Sequence, residues 1–525
     1  MSLHGLNFIG DQLCSGHSSA HATSPIDRST LEPAFHQASV EDVDAALGVA
    51  DHAFTTYRAT TGEQRAAFLE RIADELIALG DELIARGHLE TGLPQARLVG
   101  ERGRTVAQLR LFASVAREGS WVDARLDTAQ PDRQPAPKPD LRRMLIPIGP
   151  VVVFGSSNFP LAFSVAGGDT ASALATGNPV IVKAHSGHPG TSELAAMAIR
   201  RAVNACGLPA GVFSMLHGAG KVIGAALVAH PRSRAVGFTG SRAAGRALFN
   251  IAAARAEPIP VFAEMSSTNP LFILPGALRE RSSALAEGLR TSVTMGVGQF
   301  CTKPGLVFGL GGPSFDTFAT AVSALITAVP PSTMLHGGIA EAYHEGLAYA
   351  VAVAGVMPLA MSSAAPDPGK THAEAAIART DVANYLSREE LTEEVFGPFA
   401  LLVSADQLSE LEDVARTLGG QLTATVHGTP DDLAQAGPLL ALLEQKVGRL
   451  IVNGFPTGVE VCPSMNHGGP YPATTDVRFT SVGTAALFRF VRPICYQDMP
   501  AGHLPDALKD GNPLRITRMK DGAPE

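Results

Sequence analysis

The most restrictive feature of this sequence lies between residues 150 and 275, where five short β-rich runs alternate with helical stretches. The runs are Pro150-Val-Val-Val-Phe, Pro179-Val-Ile-Val-Lys, Val212-Phe-Ser-Met-Leu, Ala235-Val-Gly-Phe-Thr and Pro260-Val-Phe-Ala-Glu. Strands this apolar need cover on both faces, and the intervening helices supply it. The alternation therefore predicts successive βαβ units and an α/β domain built on a mostly parallel, doubly wound sheet. Ligands of such sheets sit beyond the carboxyl ends of the strands. The residues at those ends are Gly155-Ser-Ser-Asn-Phe-Pro160, Lys183, Gly218-Ala-Gly220, Thr239-Gly240-Ser241 and Glu264, so glycines, hydroxyls, an amide, a lysine and a carboxylate converge on one edge.

The flanking segments differ in character. From about residue 40 to 118 the pattern is helical: Val40-Glu-Asp-Val-Asp-Ala-Ala-Leu opens one amphipathic stretch, and Glu63 to Arg86 forms another. Residues 121 to 142 include Asp132-Arg-Gln-Pro-Ala-Pro-Lys-Pro, whose prolines exclude a helix and point to a loop or protruding arm. From about 268 to 455 the strands Asn269-Pro-Leu-Phe-Ile-Leu and Gly305-Leu-Val-Phe-Gly, with a helix through Ser282 to Thr294, predict a second α/β domain. Leu487-Phe-Arg-Phe-Val-Arg-Pro alternates like an edge strand able to pair with another subunit, and 498 to 513 reads as irregular.

Composition narrows the function classes. With 45% hydrophobic and 17% charged residues the chain has the makings of a packed core. Lys plus Arg number 41 against 50 Asp plus Glu, and no block of like charge is long enough for a nucleic-acid arm. No uninterrupted apolar stretch approaches ~18 residues, and the first residues lack the basic and apolar regions of a secretory signal, so a soluble, cytoplasmic protein without a membrane partner is expected. The five cysteines are odd in number and scattered without metal-ligand spacing, which disfavours both a disulfide framework and a metal site.

One cysteine stands out by context. Gly296-Val-Gly-Gln-Phe-Cys301-Thr-Lys-Pro-Gly presents Cys301 on a glycine-rich loop, where a buried structural cysteine would more often lie in an apolar strand. Asn158 follows a buried strand and is either a donor to a developing oxyanion or a helix N-cap. Glu264 ends an apolar run, which makes it either a general base with a raised pKa or a surface carboxylate. Gly240 and Ser241 stand at a strand-to-helix turn whose amides point at an anionic group or serve the turn alone.

Taken together, these residues resemble the aldehyde dehydrogenase superfamily. The matching segments are Ser157-Asn-Phe-Pro, Asn178-Pro-Val-Ile-Val-Lys183, Gly237-Phe-Thr-Gly-Ser241, Phe262-Ala-Glu264-Met, Gly298-Gln-Phe-Cys301 and Glu393-Glu-Val-Phe-Gly-Pro398, in the family's order over about residues 30 to 500. The resemblance implies a cofactor domain of residues 1–120 and 146–266, a catalytic domain of 267–470, and an oligomerisation arm and tail of 121–145 and 471–525. It implies Cys301 as the nucleophile, Glu264 as the base that activates water and Asn158 as the oxyanion donor. Lys183 and Glu394 then resemble cofactor-ribose contacts, and Phe396 the aromatic on the nicotinamide side.

The residue three places after Lys183 is commonly a glutamate in members that prefer NAD. Here it is Ser186, with His185, His188 and Lys221 as possible donors to a 2′-phosphate, so NADP is the expected cofactor, with NAD as a possible second. Gly454-Phe-Pro-Thr-Gly-Val-Glu-Val and His467-Gly-Gly-Pro-Tyr-Pro-Ala-Thr-Thr-Asp resemble the α-ketoglutaric semialdehyde dehydrogenases, which implies 2,5-dioxopentanoate as substrate and a homodimer or homotetramer. Phe159, Phe163 and Phe455 suit instead the apolar tail of a fatty aldehyde. An acylating relative that uses coenzyme A and a catalytically silent relative are the other readings, against which the retained Asn158, Glu264 and Cys301 argue.

Overall fold

A computed structural model describes residues 2–525 of the chain. The five runs become the strands Val151–Phe154, Val180–Lys183, Phe213–Leu216, Ala235–Thr239 and Val261–Glu264. They lie in one seven-stranded sheet with the order 261–264, 235–239, 151–154, 180–183, 213–216, 7–9, 12–14. The five pair in parallel, and Asn7–Ile9 and Gln12–Cys14 add an antiparallel edge that sequence pattern did not reveal. Strands of three residues are too short to display a period.

Alternate residues of one strand feed different cores. Val151 and Val153 pack with Leu174, Leu194 and Ile199 on one face. Val152 and Phe154 pack with Leu47, Leu227 and Leu248 on the other. This is the two-sided burial that a run of valines encodes, and each such side chain contributes roughly 1.5–3 kcal/mol. Strand order reverses at Val151–Phe154, whose neighbours 180–183 and 235–239 lie on opposite sides, so a crevice opens beyond it.

The helical segment before the sheet comprises Val40–Tyr57, Gly62–Ala78, Gly80–Thr91 and Gln95–Glu118. The single stretch expected from Glu63 to Arg86 is two helices, because Gly80 adopts φ +56°, a left-handed conformation that interrupts the first. Ser39 and Asp42 form a reciprocal capping box at the first of the four.

The second half carries another seven-stranded sheet, ordered 357–361, 376–381, 399–405, 306–310, 271–273, 421–427, 447–452, in which only Met357–Met361 runs antiparallel. Its helix begins at Pro275, earlier than the expected Ser282, and bends at Arg281 (φ −134°, ψ 22°). A five-stranded sheet joins 491–497, 141–147, 125–127, 519–520 and 523–524. The expected strand at Leu487 starts only at Val491; Thr484–Phe490 is a 3₁₀ helix that buries Ala486, Leu487 and Phe490. Val491–Gln497 is the outermost strand of that sheet. No helix among the described residues is long and apolar enough to cross a membrane.

Candidate active site

The loop that carries Cys301 is shaped by backbone conformations few side chains adopt. After the helix Pro275–Thr294, Gly296, Val297 and Gly298 take φ +56°, +58° and +67°. At Val297, a β-branched residue, this is a strained conformation that the surroundings must hold. Gly298 has no room for a side chain, since a Cβ would meet the Gly397 carbonyl carbon at 2.2 Å. The loop is anchored from several directions. Asn158 Nδ2 donates to the Gln299 carbonyl (3.1 Å), and Asn269 Nδ2 donates to the carbonyls of Cys301 (2.8 Å) and Lys303 (3.0 Å). Leu335 N–H donates to Gln299 Oε1 (3.1 Å).

Around the sulfur the structure assembles a cluster that spans the chain. Cys301 Sγ lies 3.4 Å from His467 Nε2, and the same nitrogen lies 3.0 Å from Glu264 Oε1. Ser481 Oγ donates to Glu264 Oε2 at 2.7 Å. Sulfur, imidazole nitrogen and carboxylate oxygen all fall within 4.8 Å of one another, a spacing that a soft cation could also bridge. One Nε2 proton can serve the carboxylate or the sulfur, so the imidazole couples their charge states.

The electrostatics correct one expectation. Burial by itself would raise the Glu264 carboxyl, but the charge and hydrogen bond of His467, with the Ser481 hydroxyl, outweigh it and hold the group below its ordinary value. Glu264 is thus a buried, ionised carboxylate, neither a raised one nor a surface one. Cys301 keeps some surface, yet loss of water around the sulfur, followed by the charge of Glu264, pushes the thiol well above its usual range.

Asn158 is not a helix cap, because the next helix begins at Gly168. Its carbonyl accepts from Arg97 Nη2 (2.8 Å), and its side-chain amide is buried beside the Cys301 loop. Phe159, Phe163 and Phe300 form an edge-to-face chain there, with centroids 5.4 and 5.3 Å apart. Phe455 does not join them; its ring fills the space over Gly288 and packs on His427 at 4.9 Å.

The expected cofactor residues are distributed along the same edge. Lys183 ends its strand buried, and burial alone pushes its ammonium down to about 8. Ser186 is exposed on the following turn and borders a cavity of about 500 Å³ whose wall includes Arg28, His336 and Lys370. Lys221 is exposed on the short π-helix Gly220–Gly224, which buries Ile223 and Gly224. The Gly240 N–H is already spent on the Glu264 carbonyl (3.0 Å), so it does not point at a ligand. Ser241 caps the helix Arg242–Ala253 by accepting from the Ala244 N–H.

Glu394 and Phe396 come from the second half, on the loop before Phe399–Ala405, and are partly buried. Arg242 of the first half pairs with Glu393 of that loop at 2.9 Å. Burial raises Glu394 against the opposing pull of Lys303. Lys303 is itself buried, and its Nζ donates to the carbonyls of Val395 (3.0 Å) and Phe399 (2.8 Å).

Sequence reasoning missed His467 and Ser481 as members of the site. His467 offered one signal: an ionisable ring opening the run His-Gly-Gly-Pro, where nothing apolar accounts for it. Residues 471 to 482, expected in the tail, run beside Glu264, with Met265 N–H donating to the Ala473 carbonyl (2.7 Å) and Thr475 N–H to that of Ala263 (3.1 Å).

Comparison with known proteins identifies the family. The model of the aldehyde dehydrogenase family matches residues 15–331. The chain is 52% identical to α-ketoglutaric semialdehyde dehydrogenase 2 of Azospirillum brasilense, covering 100% of both chains. It is 47% identical to α-ketoglutaric semialdehyde dehydrogenase of Acinetobacter baylyi, covering 99% of this chain and 98% of that one. Among solved structures, betaine aldehyde dehydrogenase of Staphylococcus aureus in complex with NAD⁺ superposes with a TM-score of 0.81 at 19% identity, covering 95% of this chain and 96% of that one, a likeness of fold. This chain belongs to the aldehyde dehydrogenase family, as an α/β oxidoreductase that acts on aldehydes with a nicotinamide cofactor.

Proposed function

We propose that the protein oxidises 2,5-dioxopentanoate to 2-oxoglutarate with NADP, through Cys301. The carrying observation is the buried Cys301–His467–Glu264 contact in a chain that aligns end to end with two proteins named for that substrate. Two guanidiniums on the aromatic chain, Arg97 over Phe159 and Phe300 (4.9 and 4.8 Å) and Arg104 over Phe163 (5.7 Å), favour an anionic aldehyde over a fatty one.

The chemistry divides into addition and hydrolysis. Cys301 passes its proton by way of the Glu264 carboxylate to solvent, and its sulfur forms a bond to the aldehyde carbon; the imidazole of His467, 3.4 Å away, steadies the sulfur's charge. The carbonyl oxygen becomes an oxyanion, and Asn158 Nδ2, which has a second N–H beyond the one on Gln299, donates to it. A nicotinamide held by Lys183, Glu394 and Phe396 would supply the acceptor for the hydride that the carbon gives up, so that the adduct on Cys301 becomes a thioester. Glu264 takes a proton from water, the hydroxide adds to the thioester carbon, and the C–S bond breaks, which returns the Cys301 thiolate and frees the carboxylate product. Release of the His467 or Ser481 contact raises Glu264 towards the strength such a base needs.

The residues fit a nicotinamide dinucleotide. Lys183 is a buried ammonium that no carboxylate among the described residues offsets, at the edge where such ligands lie, and it would hold a ribose together with Glu394, with Phe396 beside the ring. Ser186, with Arg28 and Lys370 on the wall of its neighbouring cavity, supports NADP. Domain roles follow: 1–120 and 146–266 bind the cofactor and 267–470 carry the thiol. The free edge of Val491–Gln497 supports 121–145 and 491–497 as part of an arm that joins a homodimer or homotetramer, while 471–482 belong to the site. The test is a panel of aldehydes assayed with NAD and NADP. The expected result is highest kcat/KM for 2,5-dioxopentanoate with NADP; a preference for decanal overturns the substrate reading.

A further inference from the structure

The helix Gln95–Glu118 turns Arg97, Glu101 and Arg104 towards the aromatic chain that lines the approach to Cys301. The first two are tied to the main chain there, although Glu101 Oε2 is buried without a partner among the described residues. Arg97 bonds the Asn158 carbonyl between two rings, and the buried Glu101 accepts from the N–H groups of Leu161 (2.8 Å) and Ala162 (3.0 Å). Arg104 is different. Its Nη1 donates to the Val459 carbonyl at 2.5 Å, but Nε and Nη2 are buried and have no partner among the described residues. Nε and Nη2 form the side of a guanidinium that meets a carboxylate through two parallel bonds. Buried charged donors left unmade are costly, so an orphaned fork of this shape points to a ligand oxygen pair.

Its position fits the second end of a short substrate. Phe163, under Arg104, has its ring centroid 6.4 Å from that of His467, which touches the sulfur. Arg449 holds the same loop from the other half of the molecule: its Nη2 donates to the carbonyls of Pro456 (2.8 Å) and Gly458 (3.2 Å), and its Nε is also buried without a partner. Both guanidiniums lie close enough to Cys301 to feel its charge. The acids that face Arg104 are Glu101, which burial pushes up towards its neutral form, and Glu460, which is exposed.

We propose that the Nε–Nη2 edge of Arg104 grips the carboxylate of the oxo-acid substrate, with Arg449 as the adjoining cation. This rests on the substrate reading above and names the residue that would decide it. Binding the carboxylate on one rigid fork while the sulfur waits at the aldehyde end selects substrates by the distance between the two groups.

The test compares 2,5-dioxopentanoate with pentanal, an uncharged aldehyde of the same chain length, in wild type, Arg104→Met and Arg104→Lys. The ratio of kcat/KM for the oxo-acid over pentanal should fall about 100-fold in Arg104→Met. It should recover only in part in Arg104→Lys, which restores charge without the fork. In a second measurement, inhibition of pentanal oxidation by 2-oxoglutarate should weaken in parallel. Equal losses on both substrates, or an unchanged ratio and inhibition, overturn the proposal. If the wild-type enzyme itself prefers pentanal, the substrate reading fails instead. Should Arg104→Met fail to fold, Arg104→Lys and the inhibition measurement decide the matter by the same criteria.

Discussion

Cys301 and Lys303 stand two residues apart on one loop, yet they enter two buried clusters of opposite character. Lys303 spends its ammonium on two backbone carbonyls at 2.8 and 3.0 Å, both on the segment 395–399, and it has Glu394 as a charged neighbour. The Cys301 sulfur lies 3.4 Å from an imidazole nitrogen that also faces Glu264, with the carboxylate itself close by. The first cluster is satisfied by short bonds to the main chain and so welds two loops together. The second is held by side chains from three distant segments and leaves its sulfur free to form a new bond. Burying charge serves rigidity in one case and reactivity in the other, and the difference lies in whether the partners are fixed.

That contrast can be broken by mutation. The largest effect is expected at the sulfur: Cys301→Ala should lower aldehyde oxidation at least about 10⁴-fold while the protein stays folded, because nothing else in the cluster can form the thioester. Near-normal turnover of the alanine variant, with folding checked by circular dichroism, would remove Cys301 from the mechanism. Next comes Glu264→Gln, expected to give a burst of reduced cofactor and then a steady rate lower by about 10²–10⁴-fold, since water attack loses its base. A linear progress curve at normal rate would contradict that role.

Lys303→Met tests the other cluster, and its effect should be on stability. Two carbonyls lose their donor and Glu394 loses a neighbouring cation, which should cost about 2–3 kcal/mol of unfolding free energy in a denaturant titration. If kcat falls by orders of magnitude with stability intact, the two clusters are not separate in function.

The smallest effect sharpens the role of His467. Glu264 is held low by His467, so in the wild type its ionised form survives to pH values below the ordinary carboxyl range. A group of this kind loses its charge as pH falls through its folded value. With His467→Phe, burial is opposed only by the hydrogen bonds of Ser481 and Cys301, the Glu264 pKa rises, and the acid limb of kcat against pH should move upward, with a loss of about 10–100-fold in kcat/KM. An unmoved acid limb would show that the imidazole does not set the charge of Glu264.

Much of the scaffold was legible because it is written locally. Five valine- and phenylalanine-rich runs announced a sheet buried on both faces, and each became a strand. Cys301, Asn158 and Glu264 stood out because each broke the pattern around it: a thiol in a glycine turn, an amide after a valine run, a carboxylate ending an apolar strand. Misreadings occurred where the local signal was ambiguous. The run at Leu487 alternates like a strand, but Ala486, Leu487 and Phe490 are spaced to bury one side of a 3₁₀ helix. The Gly240 turn carried donor geometry in sequence, yet its amide belongs to the sheet.

By itself, then, the sequence determined the parallel sheet, the edge that carries the site and the candidate nucleophile, because strand period, turn chemistry and polar residues in apolar runs are short-range properties. Only the tertiary structure decided what those residues touch. Glu264 and His467 are 203 residues apart, Ser481 and Glu264 are 217 apart, and Arg104 meets Val459 across 355. Glu264 read alone is a buried carboxyl whose pKa should rise; with His467 and Ser481 against it, the pKa falls. The sign of that shift belongs to neighbours brought in by the fold, and no stretch of sequence around Glu264 contains them.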